Sequence, residues 1–153
     1  MNAKLTLLAA QPFLKGMDPR LIELLAEDCL PYDFKPDEYI LNEGAPANRF
    51  YLILEGQVEL ESPVADGEVV HIQTLGAGDL LGWSWLYPPY YWHFDARAIT
   101  PVKALFFYGT HLRELCEENH ELGYELMKRV SEVVIHRLQN ARKEWVEHQK
   151  RLH

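Results

Sequence analysis

Between Gly82 and Ile99 the chain reads GWSWLYPPYYWHFDARAI, and this stretch holds the side chains with the most chemistry to offer. Three of the four tryptophans are here, Trp83, Trp85 and Trp92, with Tyr87, Tyr90, Tyr91 and Phe94 beside them. Indole and phenol faces set round a cavity stack on flat apolar or heterocyclic molecules, and a few polar groups then fix the orientation. His93 adds an imidazole that could serve as the axial ligand of a haem, with His71 and His111 as more distant choices. The same rings have two other uses. They can be core packing, with Pro88-Pro89 as a rigid loop tip, or Tyr90 and Tyr91 can form an exposed patch for a partner.

Catalytic and metal chemistry find little support. His71, His93 and His111 are scattered singly, with no H-x-H pair, and no Ser-His-Asp or paired-carboxylate motif stands out. Asp79, in GDLLG, reads as a turn former. The expectation is a protein that is not an enzyme and has no metal site. Cys29 and Cys116 form neither a disulfide framework nor a C-x-x-C pair, which suits reduced thiols in a cytoplasmic protein. The apolar run from Leu5 to Ala10 is short for a signal-peptide core, and nothing in the sequence is long enough to span a bilayer. A formal net charge of −8 argues against a chain that grips phosphate backbones.

The 153 residues suffice for one domain with a real core, and the elements fall into three blocks. Residues 1–31 are expected to be helical in two pieces. Asp18 and Pro19 mark a helix start, Leu21, Leu24, Leu25 and Cys29 recur at helical spacing, and Pro31 ends the block. Residues 32–108 alternate with period two. Phe50, Leu52 and Leu54 alternate with Tyr51, Ile53 and Glu55, and Val58 and Leu60 with Glu59 and Glu61. Glycines punctuate these runs, and Asp66-Gly67 is a hairpin turn. The last strands are expected at Ala96–Thr100 and Val102–Tyr108. Residues 110–153 return to helix, with Thr110 capping a short turn and a long helix running from near Glu121. In that helix Val134, Leu138, Ala141, Trp145, His148 and Leu152 recur at spacings of four and three, and Met127 and Val130 extend the series. That is a coiled-coil seam, flanked by Arg137, Gln139, Lys143 and Glu147, and it predicts a homodimer in which Val130, Val134, Leu138, Ala141 and Trp145 meet a second copy.

With these residues in place the chain resembles the cyclic-nucleotide-binding domain of the catabolite-activator (Crp/Fnr) type. PFLKGMDPRLIELLAEDC is similar to that family's N-terminal helices, EYILNEGAPANRFYLILEGQVEL to its strand pair, and LGAGDLLG to the entry of its phosphate-binding cassette. LCEENHELGYELMKRVSEVVIHRL looks like the helices that follow the barrel. The resemblance implies a mainly β, α+β fold: an antiparallel β-jelly-roll flanked by N-terminal helices and a long C-terminal dimerisation helix. It also implies a cassette in which a Glu holds the ribose hydroxyl and an Arg followed by Ser or Thr holds the cyclic phosphate. Here the cassette glycine is Gly82, the Glu position is Trp83, the Arg position is Trp92 and its neighbour is His93. The family's next R-A pair is met by Arg97-Ala98, which belongs to a strand.

A cyclic phosphate is a permanent anion, and sheltering it without a paired cation costs several kcal/mol. An indole cannot replace the bidentate guanidinium. The expectation is therefore a regulatory sensor that does not bind cAMP or cGMP in the conventional way. Its ligand-contacting set would be Gly78, Gly82, Trp83, Ser84, Trp85, Trp92 and His93, and its ligand an unidentified small molecule. The alternatives are a degenerate, ligand-free dimerisation or protein-interaction module, a weak or atypical cyclic nucleotide binder, and a haem sensor. Because the sequence runs out near Leu152, no direct DNA binding is expected, and output would pass through a protein partner.

Overall fold

Asn2 and Asp18 set the two N-terminal helices. The computed structural model describes residues 2–152, so Met1 and His153, the outermost residues of the expected helical blocks, lie outside the described residues. The Asn2 side chain accepts from Lys4 and Leu5 N–H at the start of α1 (Ala3–Ala9), and Asp18 accepts from Arg20 N–H at the start of α2 (Pro19–Glu27). Pro19 at the first helical position is placed as its fixed φ predicts. The helix does not reach Pro31, however. It stops at Glu27, and strand β1 (Cys29–Phe34) runs through that proline. The residue before a proline is driven to extended backbone. β1 is also an edge strand, paired only with β8, so a missing N–H can be tolerated there.

The remaining strands are β2 (Tyr39–Leu41), β3 (Arg49–Glu55), β4 (Val58–Pro63), β5 (Val69–Leu75), β6 (Leu80–Leu81), β7 (Asp95–Ala98) and β8 (Val102–Tyr108). They form two four-stranded antiparallel sheets, ordered β1-β8-β3-β6 and β2-β7-β4-β5. Asp66 and Gly67, both at positive φ, turn β4 into β5 as expected. β7 is shorter than the expected Ala96–Thr100, and the chain leaves the sheet after Ala98. Gly56, between β3 and β4, has φ +100, and a Cβ there would lie 2.3 Å from the Pro101 carbonyl oxygen, so this turn admits only glycine.

Strand β3 explains why there are two cores. Phe50, Tyr51, Leu52 and Ile53 are all buried, because both faces of this sheet are covered. Phe50 and Leu52 pack with Leu25, Leu105, Phe107, Leu112, Leu122 and Leu126 on the helix side. Tyr51 and Ile53 pack with Leu60, Trp92, Ala96, Ala98 and Val102 between the sheets. The outer face of β7 carries Arg97, whose guanidinium binds Glu61 at 3.0 Å, Asp37 at 2.9 Å and Glu59 at 3.1 Å. Arg97 is thus a strand residue held in a carboxylate cluster.

Helix α3 (Gly109–Glu118) starts before Thr110. Tyr108 precedes it without a side-chain cap, so Thr110 lies in the first turn and does not cap it. Helix α4 (His120–Leu152) follows after Asn119, whose side chain accepts from Leu122 N–H at 3.1 Å. Its first turns bury Leu122, Leu126 and Val130 on the helix-side core. Val130 is fully buried there and faces its own chain, so the exposed part of the seam begins further along the helix. Among the described residues no helix is long and apolar enough to cross a membrane.

His111 ties α3 to the end of α2 through Asp28, with Nδ1 2.7 Å from the carboxylate. This hydrogen bond, and then the carboxylate charge, raise the imidazole pKa above its ordinary value. A raised folded-state pKa adds stability that is complete below the unfolded value, about 6.5, and is lost as pH rises through the folded one. Urea midpoints of the wild type are therefore expected to fall as pH rises through that window, and Asp28→Asn is expected to remove this part of the decline. A wild-type slope no steeper than the variant's would contradict the assignment.

Candidate functional site

The cassette begins at the turn after β5. Asp79 Oδ2 accepts from Gly76 N–H at 2.8 Å, which confirms it as a turn former, and Gly78, at φ +88, donates to the Ile53 carbonyl oxygen at 2.7 Å. β6 then pairs with β3 and delivers Gly82 at φ +94. A Cβ on Gly82 would lie 2.9 Å from the rim of the Trp92 indole. The glycine is thus needed twice, for its backbone angle and for the ring lying against it.

The three tryptophans of this segment have three different fates. Trp92 is 1% exposed and lies in the core between the sheets. Its backbone is zipped to the 44–47 loop, accepting from Gly44 N–H at 2.9 Å and donating to the Ala45 carbonyl oxygen at 3.0 Å. Trp85 is also fully buried, but on the helix side, stacked on Phe50 with centroids 5.0 Å apart. Both indole N–H groups are sealed from solvent without an acceptor. Trp83 alone is half-buried, 6.1 Å from Phe94, with the Arg137 guanidinium of α4 lying 5.1 Å over its ring.

Trp83 forms one wall of a cavity of about 520 Å³ between the β-roll and α4. Leu60, Ile72, Gln73 and Phe94 line it from the strands, and α4 contributes apolar Val134 and Leu138 together with polar Arg137, Asn140, Lys143 and Glu144. A neighbouring cavity of about 360 Å³, bordered by Gly78, Asp79 and Leu80, shares Gln73, Arg137 and Asn140 with it. Arg137 Nη2 donates to the Leu80 carbonyl oxygen, while Nη1 is buried without an acceptor. Burial pushes this guanidinium's pKa down to about 10, against the opposing pull of the Asp79 charge. Another arginine near the cassette, Arg49, lies 5.9 Å from the Trp92 ring. Its Nε, Nη1 and Nη2 are already engaged by Tyr51 Oη, Asn48 Oδ1 and the Ile40 carbonyl oxygen.

The expected ligand-contacting set is therefore divided. Trp83 and Gly78 border cavities. Gly82, Ser84, Trp85 and Trp92 are buried structural positions. His93 is exposed and is not among the residues lining the cavity that Trp83 walls. His71 lies against Glu59 and His111 against Asp28, and among the described residues no group of three potential ligands could hold a metal ion. Sequence reasoning missed Arg137, which it treated as a flank of the helix seam. The spacing of Val130, Val134, Arg137 and Ala141 could have placed it on the inward face.

The aromatic segment is also fastened to both C-terminal helices. Arg113 of α3 donates to the Trp85 carbonyl oxygen at 2.6 Å and lies 3.9 Å over the Tyr90 ring. Tyr87 Oη donates to Met127 Sδ of α4 at 3.0 Å.

Two packed antiparallel sheets, a cassette turn at Gly82 and a long helix closing the roll define a regulatory module of the cyclic-nucleotide-binding fold. Residues 32–119 match the cyclic nucleotide-binding domain, and the chain belongs to that family. A CRP-like cAMP-activated global transcriptional regulator of Mycobacterium tuberculosis is 26% identical over 122 residues, 80% of this chain. The match spans 54% of that regulator's length. Among solved structures, a cyclic nucleotide-binding-type protein of Geobacter metallireducens superposes with a TM-score of 0.80 at 29% identity, covering 90% of this chain and 99% of that one. The regulatory subunit of a cAMP-independent protein kinase A from Trypanosoma cruzi, bound to guanosine, has a TM-score of 0.65 at 31% identity, covering 74% of this chain and 40% of that one.

Proposed function

We propose that this module senses a flat heteroaromatic ligand of nucleoside type, seated between Trp83 and α4, and that it does not hold cAMP or cGMP through the cassette. The observation that carries this reading is the burial of Trp92 against Gly82. The position that would bear the phosphate-binding cation is filled by a neutral ring, and each guanidinium nitrogen of the nearby Arg49 already donates one hydrogen bond within the protein. A cyclic phosphate placed there would be desolvated without a counter-charge. The ring of a nucleoside needs no such cation, and stacking on Trp83 with apolar walls at Ile72 and Phe94 suits it. The guanosine-bound relative supports the same class of ligand.

Ligand binding changes the output by favouring one of two states. A molecule bridging Trp83 and α4 contacts the helix directly, and the Arg113 and Tyr87 contacts join the aromatic segment to α3 and α4. Differential affinity for two positions of α4 is all such a switch requires. The helix also carries a dimer surface in this reading. Leu138, Trp145 and Leu152 recur every seven residues and are 67%, 63% and 63% exposed. We take the output to be a contact with a protein, since a net charge of −8 disfavours phosphate backbones. The setting is a reducing cytoplasm, consistent with two free thiols whose pKa burial pushes up to about 11.

Titration calorimetry tests the ligand class. Guanosine is expected to bind, and cAMP and cGMP to bind no tighter than roughly 100 µM. Low-micromolar cAMP affinity, or silence from guanosine, would reject the reading; silence from every arm would favour a ligand-free module. Light scattering tests the dimer. Trp145→Asp with Leu152→Asp, both away from the cavity, is expected to yield monomers from a dimeric wild type, and an unchanged mass would rule out this face.

A further inference from the structure

Each sheet has two edges, and three of these four edges are protected. β1 carries Pro31 and Asp33, and β2 and β6 are only three and two residues long. The fourth edge is β5, which pairs on one side alone, with β4. Its seven residues, VVHIQTL, include no proline, glycine, lysine or carboxylate, so none of the usual devices blunts it. The β-branched Val69, Val70, Ile72 and Thr74 suit extended backbone. A strand lying on a core buries alternate residues, yet Val69, Val70, His71 and Ile72 are exposed in succession. Val69, Val70 and Ile72 are 49%, 51% and 43% exposed. The β4–β5 hairpin therefore presents an apolar strand whose outer row of backbone donors and acceptors is open to pairing.

We propose that β5 is a self-association surface: it pairs antiparallel with β5 of a second copy about a two-fold axis at Ile72, joining the two β2-β7-β4-β5 sheets edge to edge. Ile72 is the midpoint of the strand, so this register pairs the whole of Val69–Leu75. It sets Val70 against Thr74, His71 against Gln73 and Ile72 against itself, and no like-charged carboxylates or ammonium groups meet. A two-fold contact must be self-complementary in this way. Charge also selects the direction. The hairpin tip carries Asp66 and Glu68, both exposed, and parallel strands would bring the two tips together. In the antiparallel register Glu68 of each copy falls opposite Gly76 of the other, which holds the two carboxylates about 27 Å apart, well beyond the screening length of roughly 8–10 Å. For a chain of net charge −8, an uncharged strip is where a second copy can approach closely. One strand edge is smaller than a standard interface, so the contact is weak and forms well above the low micromolar range.

Sedimentation velocity from about 5 µM to about 1 mM tests this on wild type and on two double variants. The variants change Val70 and Thr74, which face each other across the axis and do not line the cavity beside Trp83. Wild type is expected to gain mass as its concentration rises. Val70→Lys with Thr74→Lys puts lysine opposite lysine and is expected to weaken that association about tenfold or more, although the added lysines reduce the negative net charge that opposes it. Val70→Glu with Thr74→Lys puts opposite charges in the same places and is expected to associate at least as well as wild type. A wild-type mass that stays constant over the whole range, an association that the double-lysine variant keeps, or equal loss in both variants would overturn the proposal. Where a variant lacks a cooperative melt, amide exchange on wild type decides in its place. Protection of residues 69–75 is expected to rise with concentration, and exchange there that is independent of concentration would overturn the proposal as well.

Discussion

The site depends on one steric constraint: the Trp92 ring lies against Gly82, with no room for even a Cβ between them. That contact seals the interior between the two sheets and fixes where the aromatic segment leaves β6 and rejoins at β7. In the proposed function it also bears on the electrostatics, because the resemblance puts a phosphate-binding cation at the position that this neutral ring fills. Burying an indole contributes a few kcal/mol of hydrophobic stabilisation and then costs part of it back through the orphaned Nε1–H. Of the three tryptophans in this segment, Trp83 is the one that lines the cavity.

On the wall opposite the cassette the Arg137 guanidinium of α4 lies over Trp83. In the proposed function a ligand stacked on Trp83 also touches this helix, so that its affinity differs between two positions of α4. The links from Arg113 to Trp85 and from Tyr87 to Met127 leave little slack between segment and helices.

Much of the fold could be read from one sequence. The glycine punctuation, the alternation in β4, the Asp66-Gly67 turn and the Asp18-Pro19 cap are local signals, and each marks its element. The errors arose where tertiary packing overrode a local rule. Pro31 reads as a helix stop, yet its neighbours extend because an edge position beside β8 was open. Val130 reads as seam because the heptad pattern cannot say which partner a face meets, and the first turns of α4 meet their own core. The site was legible only in part. The positions of Trp83 and Trp92 relative to Gly82 showed a cassette rewritten in aromatic residues, but two indoles look alike in a sequence. Only the crossing from β6 to β7 decides that one fills the interior and the other walls a cavity. Arg137 touches Leu80 across 57 positions of chain, and no local pattern carries that contact.

The central claim is that the rewritten cassette split into a filled half and an open half, and indole N–H resonances report on both. Tryptophan-labelled protein titrated with guanosine is expected to show the Trp83 Nε1–H signal moving with saturable dependence while the Trp92 signal stays in place. A shift at Trp92 with Trp83 unmoved would contradict the account.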